Sequence, residues 1–501
     1  MTKWIYSFEE GSANDKDLLG GKGANLAEMS RLGLPVPPGF TITTQSCINY
    51  LDNPDFFDST LKEDILKAVT RLEKKTEKTF SGENPNLLLV SVRSGAKFSM
   101  PGMMDTILNL GLNDQRTQLL AKQTNLDFAY NCYRRLLQMF ADVVYGIDKG
   151  LFDDCLAQFE QMQAKTVHNL DLYEHQELIN QYKDLYSKHG YQFPEEPNQQ
   201  LYGAIQAVFK SWNNHRARIY RELHQIPHDL GTAVNVQSMV FGNSDQTSGT
   251  GVCFTRNPAN GEPELFGEFL LNAQGEDVVA GIRTPEPIAS LKISQPEVYK
   301  SFRDYATILE NHYKDMQDIE FTIEKGKLYI LQTRNGKRTA KAALKIALDM
   351  VDQGLINKEE ALLRSSPASI SQLIHPVFQE SALANAPFIV QGLPASPGAA
   401  TGEIVFTADR AKEAHQEGKK VILVRQETSP EDIEGMIVSQ AIVTSQGGMT
   451  SHAAVVARGM GTCCVAGCGE LSIREESKTL SCGSLTLTEG DIISVDGSSG
   501  C

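Results

Sequence analysis

The sequence predicts a multidomain chain of mixed α+β and α/β class. Its 501 residues correspond to three or four domains at about 100–200 residues per domain. Strand-like runs bounded by Gly and Pro turns alternate with long segments of helical periodicity. After residue 391, short apolar runs such as VILVR and AIVTS alternate with helical or turn stretches, which is typical of a compact α/β domain.

Composition limits the classes of partner. The hydrophobic share is 41%, the charged share is 22% and the formal net charge is −15. Such a chain lacks the general basic face that nucleic acid or an anionic membrane requires, although a few local arginines and lysines can hold an anionic ligand. The N-terminus has no apolar signal core and no run reaches about 18 apolar residues, so we expect an intracellular protein, cytoplasmic or in an organelle.

Cysteine usage fits that compartment. The nine cysteines show no disulfide spacing and predict reduced thiols. A zinc site at Cys463, Cys464 and Cys468 is a weaker alternative, because a separated second pair of ligands is missing.

The elements follow in order along the chain. Residues 1–110 mix strands with Gly and Pro turns, and LLLVSVRSG is a buried-strand candidate among them. Residues 113–228 are predicted to be mainly helical, and residues 231–334 return to strands and glycine turns. A second helical stretch at 337–385 is broken by two prolines, and we interpret it as a connector.

Three cations are candidate phosphate ligands. In GGKGANLAEM, Lys22 lies among three glycines before a helical pattern, where backbone N–H groups favour an anion; a plain glycine turn is the favoured alternative for the motif alone. In SVRSGAK, Arg93 lies at a strand end, where its guanidinium can clamp a phosphate, and a surface arginine explains it equally well. In YRR, one of Arg134 and Arg135 can turn inward from a helical pattern to a phosphate, although a solvated helix face is favoured when the motif stands alone.

Two further stretches combine glycines with polar residues. They are TSGTGVCFTRNP and LNAQGEDVVAGIRTP, and the second contains Glu276, Asp277 and Arg283. A loop over a polyphosphate and a hairpin turn explain these patterns equally well.

DIEFTIEKGKLYILQTR predicts a β-hairpin. Apolar and polar residues alternate in its first strand, which gives one apolar and one polar face. A three-residue loop at 325–327 pairs Glu320 with Gln332. It also pairs Asp318 with Arg334. Two carboxylates suit Mg²⁺ on a nucleotide, and the arginine can neutralise a transferring phosphoryl group. An exposed hairpin with a cross-strand ion pair explains the pattern equally well.

GGMTSHAAVVARGMG places His452 in the first turn of a predicted helix. Thr450 and Ser451 suit an N-cap position, and the helix is predicted to end at Gly459. The positive potential of a helix start disfavours imidazolium and stabilises an anionic group on the ring. A neutral imidazole nitrogen is a competent nucleophile, and the preceding Gly-Gly pair is expected to leave the ring uncovered. A structural histidine is the general alternative, which this context makes less favoured without excluding it.

Together these motifs resemble the pyruvate phosphate dikinase family. GGMTSHAAVVARGMGTCCVAGCG is similar to that family's phosphohistidine motif, and further motifs occur in the family's order: GGKGANLAEM, SVRSGA, MPGMMDTILNLGLND, SGTGVCFTRNP, NAQGEDVVAG, LQTRNGKRTA, LPASPGAA and TSPEDIEGM. The resemblance covers essentially the whole of residues 1–501.

The resemblance implies an ATP-grasp nucleotide-binding region with a helical insertion, a helical connector and a swivelling phosphohistidine domain. The implied boundaries are 1–112 and 201–338 for the two ATP-grasp parts, 113–200 for the insertion, 339–390 for the connector and 391–501 for the phosphohistidine domain. In this family ATP and inorganic phosphate react with the histidine, here His452, to give AMP, pyrophosphate and phosphohistidine. The histidine then phosphorylates pyruvate to phosphoenolpyruvate at a separate C-terminal barrel.

The resemblance also implies site residues. The nucleotide and phosphate ligands would be Lys22, Arg93, Arg135, Asp318, Glu320, Gln332 and Arg334, with Mg²⁺ held by Glu320 and Gln332. Thr450 matches the threonine that a regulatory kinase phosphorylates in plant members. Family members are often dimers or tetramers, so a homodimer is among the implied assemblies. Because one histidine serves two sites, its domain is expected to be a separate body, and in one structure His452 can lie tens of ångströms from Arg334.

Two departures from the family pattern change the expectation. Gln446 stands where the family often has arginine, so one positive charge beside the histidine is missing. The sequence stops at Cys501, whereas the family continues into the barrel that binds pyruvate and phosphoenolpyruvate. We therefore expect this chain to load His452 from ATP and phosphate but not to make phosphoenolpyruvate alone.

Two other hypotheses stay open. One is a related phosphohistidine phosphotransferase, such as a phosphoenolpyruvate synthase or an antibiotic phosphotransferase; GGMTSHAA favours the dikinase over the GGRTCHAA style of the synthases. The other is a non-catalytic regulatory phosphoprotein, against which the retained carboxylates and arginine of the hairpin argue.

Overall fold

The computed structural model describes residues 2–82, 84–100, 102–275, 284–364, 377–379, 382–383 and 386–501. The chain forms two compact units, residues 1–240 (unit 1) and 241–501 (unit 2). Over the described ranges, no helix combines the length and the apolar character needed to cross a membrane. The predicted motif residues Glu276, Asp277 and Arg283 lie outside the described residues, and the five-part domain division stays a prediction.

Unit 1 is built around one five-stranded antiparallel sheet in the order β1-β2-β5-β3-β4. Its strands are β1 (Ile5–Ser7), β2 (Gly39–Ile42), β3 (Val90–Gly95), β4 (Thr106–Leu110) and β5 (Ala233–Ser238). Every residue of β5 is buried, and β5 pairs with both β2 and β3. The sheet is therefore completed only when the chain returns from the long helical segment.

The helices of unit 1 include the predicted helical segment. They are α1 (Lys16–Arg31), α2 (Thr44–Asp52), α3 (Lys62–Thr76), α4 (Asp114–Gln123), α5 (Leu126–Tyr145), α6 (Gly150–Gln163), α7 (Leu172–Lys188), α8 (Pro197–Ser211) and α9 (His215–Leu223). Asparagine caps set several of these starts, because the Asn113, Asn125 and Asn214 side chains each accept a backbone N–H three residues later. The prediction of a mainly helical stretch at 113–228 is confirmed.

Unit 2 begins with a second antiparallel sheet, in the order β10-β9-β6-β7-β8. Its strands are β6 (Gly249–Phe254), β7 (Phe266–Leu271), β8 (Glu286–Pro287), β9 (Gln317–Glu324) and β10 (Lys327–Asn335). The helices that follow or interrupt it are α10 (Leu291–Ser294), α11 (Pro296–Tyr313), α12 (Ala340–Asp352) and α13 (Lys358–Arg364). Arg256 donates to Glu310 of α11 and to Asp349 of α12, so the first helix of the predicted connector is fixed to the body of this sheet.

The last part of unit 2 is the predicted α/β segment. A six-stranded sheet has the order β11-β15-β14-β13-β12-β19, parallel from β15 to β12 and antiparallel at both edges. The strands are β11 (Leu393–Ser396), β12 (Ala399–Val405), β13 (Val421–Arg425), β14 (Ala441–Thr444), β15 (Cys463–Ala466) and β19 (Ile492–Asp496), with a meander of β16 (Ser472–Arg474), β17 (Thr479–Cys482) and β18 (Leu485–Thr488). Its helices are α14 (Ala408–Gln416), α15 (Ile433–Val438) and α16 (His452–Met460). The predicted strands VILVR, AIVTS and DIISVDG are confirmed as β13, β14 and β19.

Two apolar layers cover the faces of the six-stranded sheet. Alternate residues of each parallel strand enter opposite layers, so Ile422 belongs to one layer and Leu423 to the other. Cys463 and Cys464 are divided in the same way, which prevents them from binding one metal ion together. All nine cysteines are free, and burial raises the pKa of Cys463 and of Cys468 to about 12.

Candidate functional site

His452 is the first residue of α16, and Ser451 holds the N-cap position, as the sequence predicts. Ser451 makes no capping hydrogen bond, and its Oγ is buried without a partner. The predicted end of the helix at Gly459 is wrong. The helix continues to Met460, and Gly461 (φ 72°) ends it in the left-handed conformation.

The imidazole ring of His452 is held by Thr428. Its Nδ1 lies 3.0 Å from Thr428 Oγ1, while its Nε2 is buried and has no hydrogen-bond partner among the described residues. A cavity of about 10 Å³ lies beside the ring, lined in part by Gln446 and Gly447, and it has room for one water at most. The expectation that the Gly-Gly pair leaves the ring uncovered is therefore wrong for Nε2, which is buried although His452 as a whole is partly exposed.

Electrostatics favour the neutral form of this histidine. Burial lowers the pKa of His452, while Asp432 and Glu431 act in the opposite direction. The sequence argument relied on the positive potential of the helix start, whereas burial is the main cause in the structure. A neutral ring is the protonation state that a nucleophile needs.

Glu268 of β7 binds the segment that precedes His452. Its Oε1 accepts the Met449 N–H at 3.3 Å, and its Oε2 accepts the Thr450 hydroxyl at 3.1 Å. Burial raises the pKa of Glu268, and these two bonds and Arg458 reduce that rise. Arg458 of α16 donates to the carbonyl oxygen of Met449, so the loop is fixed from both sides.

Strands β9 and β10 form the predicted hairpin. Glu320 lies opposite Gln332 and Asp318 lies opposite Arg334, so both predicted pairs are confirmed. Arg334 Nε donates to Asp318 Oδ2 at 2.7 Å, and Arg334 Nη1 lies 3.9 Å from Glu320 Oε1. Burial lowers the pKa of Arg334, but Asp318 and Glu320 more than offset this and raise it.

The loop of this hairpin differs from the prediction. Lys327 pairs with Glu324, so the turn contains only Lys325 and Gly326, which both have positive φ. A register shift at Leu331 then restores the pairing that a three-residue loop would give.

Two oxygen atoms on the polar face of the hairpin are unsatisfied. Asp318 is 3% exposed, and its Oδ1 is buried without a hydrogen-bond partner. The same is true of Gln332 Oε1. Burial raises the pKa of Asp318, and Arg334 reduces that rise. Buried, unsatisfied carboxylate and amide oxygens are the donors that Mg²⁺ takes in proteins, so these residues fit such an ion better than they fit an exposed ion-pair hairpin.

The histidine segment and the hairpin meet on one sheet. Val252 of β6 pairs with Glu268 on one side and with Glu320 on the other, so both glutamates point to the same face. Burial raises the pKa of Asp318, and the charge of Arg458 reduces that rise. In this structure the segment bearing His452 is docked, through Met449 and Thr450, on the sheet that carries Arg334.

In unit 1, Lys22 lies in α1, just after the kink at Gly20, and this kinked segment packs on the end of the strand that carries Arg93. Gly20 (φ 66°) interrupts α1, and the Gly21 N–H donates to the Ala96 carbonyl oxygen at 2.8 Å. Arg135 lies on another element, α5, where its Nε donates to Asn131 at 2.8 Å. The unit thus brings Lys22 and Arg93 together and places Arg135 on a helix.

Sequence reasoning missed Glu268, Thr428 and Arg458 as functional residues. Glu268 is the one charged residue in the apolar run FGEFLL, and a lone charge inside a predicted strand was a usable signal. Thr428 and Arg458 gave no such signal, because their partners lie far away along the chain or on the backbone.

Comparisons with known proteins agree with this arrangement. A family model described as pyruvate phosphate dikinase, AMP/ATP-binding domain, matches residues 16–62, 53–301 and 289–355, and one described as PEP-utilising enzyme, mobile domain, matches residues 417–500. The chain is 56% identical to pyruvate, phosphate dikinase of Clostridium symbiosum and 55% identical to that of Rhizobium meliloti (strain 1021), over 100% of the chain and 58% of each relative. It is 51% identical to the chloroplastic pyruvate, phosphate dikinase 1 of Arabidopsis thaliana, over 99% of the chain and 52% of that protein.

The chain thus spans little more than half the length of these curated relatives. The first family model covers Lys22, Arg93 and the hairpin of β9 and β10, and the second covers the segment of His452. The chain belongs to the pyruvate phosphate dikinase family.

Proposed function

We propose that this chain transfers a phosphoryl group from ATP to His452, as the nucleotide half of a pyruvate phosphate dikinase. The observation that carries the proposal is the environment of the ring: Nδ1 is held by Thr428, and Nε2 has no partner. When Thr428 Oγ1 accepts a hydrogen bond from the Nδ1–H group, the proton stays on Nδ1. Nε2 then keeps its lone pair for attack on phosphorus.

The proposed half-reaction is balanced by inorganic phosphate. A bond forms between Nε2 and the β-phosphorus of ATP, and AMP leaves with the electrons of the broken P–O bond. The γ-phosphoryl group passes to inorganic phosphate as pyrophosphate, and phosphohistidine remains. The cavity beside the ring holds about 10 Å³, so the loop must open to admit a phosphoryl group; the match to a mobile-domain family supports such movement.

Other residues are assigned by their chemistry. Lys22 and Arg93 of unit 1 bind phosphate oxygens, with Arg135 as a further candidate. In unit 2, Asp318, Glu320 and Gln332 would hold Mg²⁺, and Arg334 would neutralise charge on the transferring group. Mg²⁺ would supply positive charge to the phosphate groups. We place these residues in an ATP-grasp region and His452 in a swivelling domain. The pyruvate half-reaction is assigned to the part of the relatives that this chain does not match.

Labelled ATP tests the proposal. The chain is incubated with Mg²⁺, inorganic phosphate and ATP labelled at the β-phosphate, and acid-labile protein-bound label is measured. His452→Ala should abolish the label, whereas His415→Ala, which changes an exposed histidine of α14, should retain it. Absence of label in the unaltered chain, or label in His452→Ala, would overturn the proposal.

The same reaction separates the alternatives. Release of pyrophosphate that depends on added phosphate indicates the dikinase, whereas release of phosphate indicates a synthase-type enzyme. Absence of Mg-ATP binding in calorimetry indicates a regulatory phosphoprotein.

A further inference from the structure

Asn235 of β5 lies beside Arg93 and the α1 segment that carries Lys22. It pairs with Arg93 of β3 on one side and with Thr41 of β2 on the other. Residues directly opposite one another on paired strands point to the same face, so the amide of Asn235 lies on the face that carries Arg93. Asn235 is completely buried, and its Oδ1 accepts the Thr41 hydroxyl at 2.8 Å.

The glycines of the two motifs pack directly against this amide. A Cβ added to Gly95 would lie 2.5 Å from Asn235 Nδ2 and 3.3 Å from the Cβ of Lys22. A Cβ added to Gly23 would lie 2.9 Å from Asn235 Oδ1. Heavy atoms do not approach this closely without displacement, so Asn235 takes up the space that side chains at both glycines would need. Its amide therefore sets how closely the α1 segment that carries Lys22 lies on the strand of Arg93.

The amide nitrogen gains no hydrogen bond there. Asn235 Nδ2 is buried and finds no acceptor among the described residues. An unsatisfied buried donor is destabilising, and an apolar side chain of similar size would avoid that cost. The amide is thus poorly explained by stability alone.

We propose that Asn235 is a positioning residue that holds the α1 segment carrying Lys22 against the Arg93 strand and thereby sets the affinity for the nucleotide's phosphate groups. This inference rests on the proposed function, because it takes Lys22 as a phosphate ligand. Asn235 acts through the helix segment and the strand and does not itself touch the nucleotide.

A double-mutant cycle tests the inference. Mg-ATP affinity is measured by calorimetry in the full chain carrying His452→Ala, which prevents turnover. Asn235→Ala should weaken binding roughly tenfold, but less than about twofold when Lys22→Ala is already present, because residues that act through one another are not additive. An equal loss in both backgrounds, or no loss from Asn235→Ala, overturns the inference. If Lys22→Ala alone leaves affinity unchanged, the phosphate-binding role in the proposed function fails, and this inference fails with it.

Glycine variants provide a test that a folding defect cannot mimic. Gly95→Ala should weaken Mg-ATP binding by about tenfold or more, because its methyl group meets Nδ2. Adding Asn235→Ala should restore affinity to that of Asn235→Ala alone, since the new methyl group then fills vacated space. Gly20→Ala is the matched control: its Cβ would lie 1.6 Å from the Gly95 carbonyl oxygen, so Asn235→Ala should not rescue it. Failure of the Gly95 rescue, with thermal unfolding showing a folded double variant, overturns the inference.

Discussion

At the residue scale, the hydrogen bond between Thr428 and His452 determines which ring nitrogen of His452 is available as a nucleophile. A neutral imidazole carries its proton on one nitrogen only. Attack through Nε2 requires that proton on Nδ1, where the Thr428 oxygen lies 3.0 Å away. Thr428 thus serves to fix the tautomer and the orientation of the ring, as groups that hydrogen-bond to reactive histidines generally do.

Removing this hydroxyl should slow the loading of His452. Thr428→Val keeps the side-chain shape but cannot accept a hydrogen bond from the Nδ1–H group. We therefore expect the single-turnover rate of phosphorylation to fall about 10- to 100-fold. Thr428→Ser keeps the hydroxyl and should stay close to the unaltered rate. Rapid-quench measurement of labelled phosphohistidine checks this, and equal rates in the valine and serine variants would contradict it.

The pH dependence of loading follows from the same environment. Because burial lowers the pKa of His452, the neutral nucleophile persists to lower pH than in an exposed histidine. The acid limb of the single-turnover rate should therefore lie below about pH 6.5. Glu431 favours the charged ring, so Glu431→Gln should move the limb to still lower pH. Glu476→Gln, at an exposed position of the same domain, should leave it in place, and an upward shift in Glu431→Gln would refute the assignment.

At the scale of elements, the hairpin β9–β10 shows which features the alternation of polar and apolar residues predicts and which it does not predict. Alternation fixes which side chains share a face, because the period of a strand is two residues. That Asp318 and Glu320 share a face followed from that rule, whereas the pairing of Asp318 with Arg334 was predicted from a three-residue loop. Alternation does not say where an extra residue is absorbed, so the two-residue turn and the register shift at Leu331 were not predicted.

Within this hairpin, the two carboxylates have different tasks. Asp318 forms the close pair with Arg334 at 2.7 Å, whereas Glu320 lies 3.9 Å from that arginine. Glu320→Gln should therefore leave the fold intact but remove one charged Mg²⁺ ligand. We expect the Mg²⁺ concentration for half-maximal loading of His452 to rise about tenfold or more. Glu286→Gln, at an exposed position of β8 in the same sheet, should not change it; the same shift in both variants would remove Glu320 from the metal site.

At the scale of the whole molecule, the sequence predicted the kinds of segment but not their contacts. The helical stretch after residue 113 and the closing α/β domain follow from local periodicity, which is visible within a short window of neighbouring residues. The bond from Glu268 to Thr450 joins residues 182 positions apart, and no local pattern encodes such a pair. The same holds for the burial of Nε2 of His452. The contacts that the loop makes in the folded chain, and not the glycine content of the loop, decide how exposed that atom is.

In the docked arrangement, the Thr450 hydroxyl donates to Glu268 Oε2, and Glu268 is a carboxyl whose pKa burial already raises. A negative charge at position 450 would face that carboxylate in a poorly solvated contact, where like charges repel strongly. Phosphorylation of Thr450, which the resemblance to plant members implies, would act in this way. It would undock the histidine segment without touching the ring.

Thr450→Glu tests this coupling. We expect it to reduce the loading of His452 about 100-fold and to increase hydrogen exchange at the amides of the 447–451 loop. Glu268→Lys should restore most of the loading in the Thr450→Glu chain, because opposite charges then meet across the contact, while it should lower loading when Thr450 is unchanged. If Thr450→Glu were equally damaging with glutamate or lysine at position 268, its effect would arise at the ring of His452. The docking contact would then have no part in control.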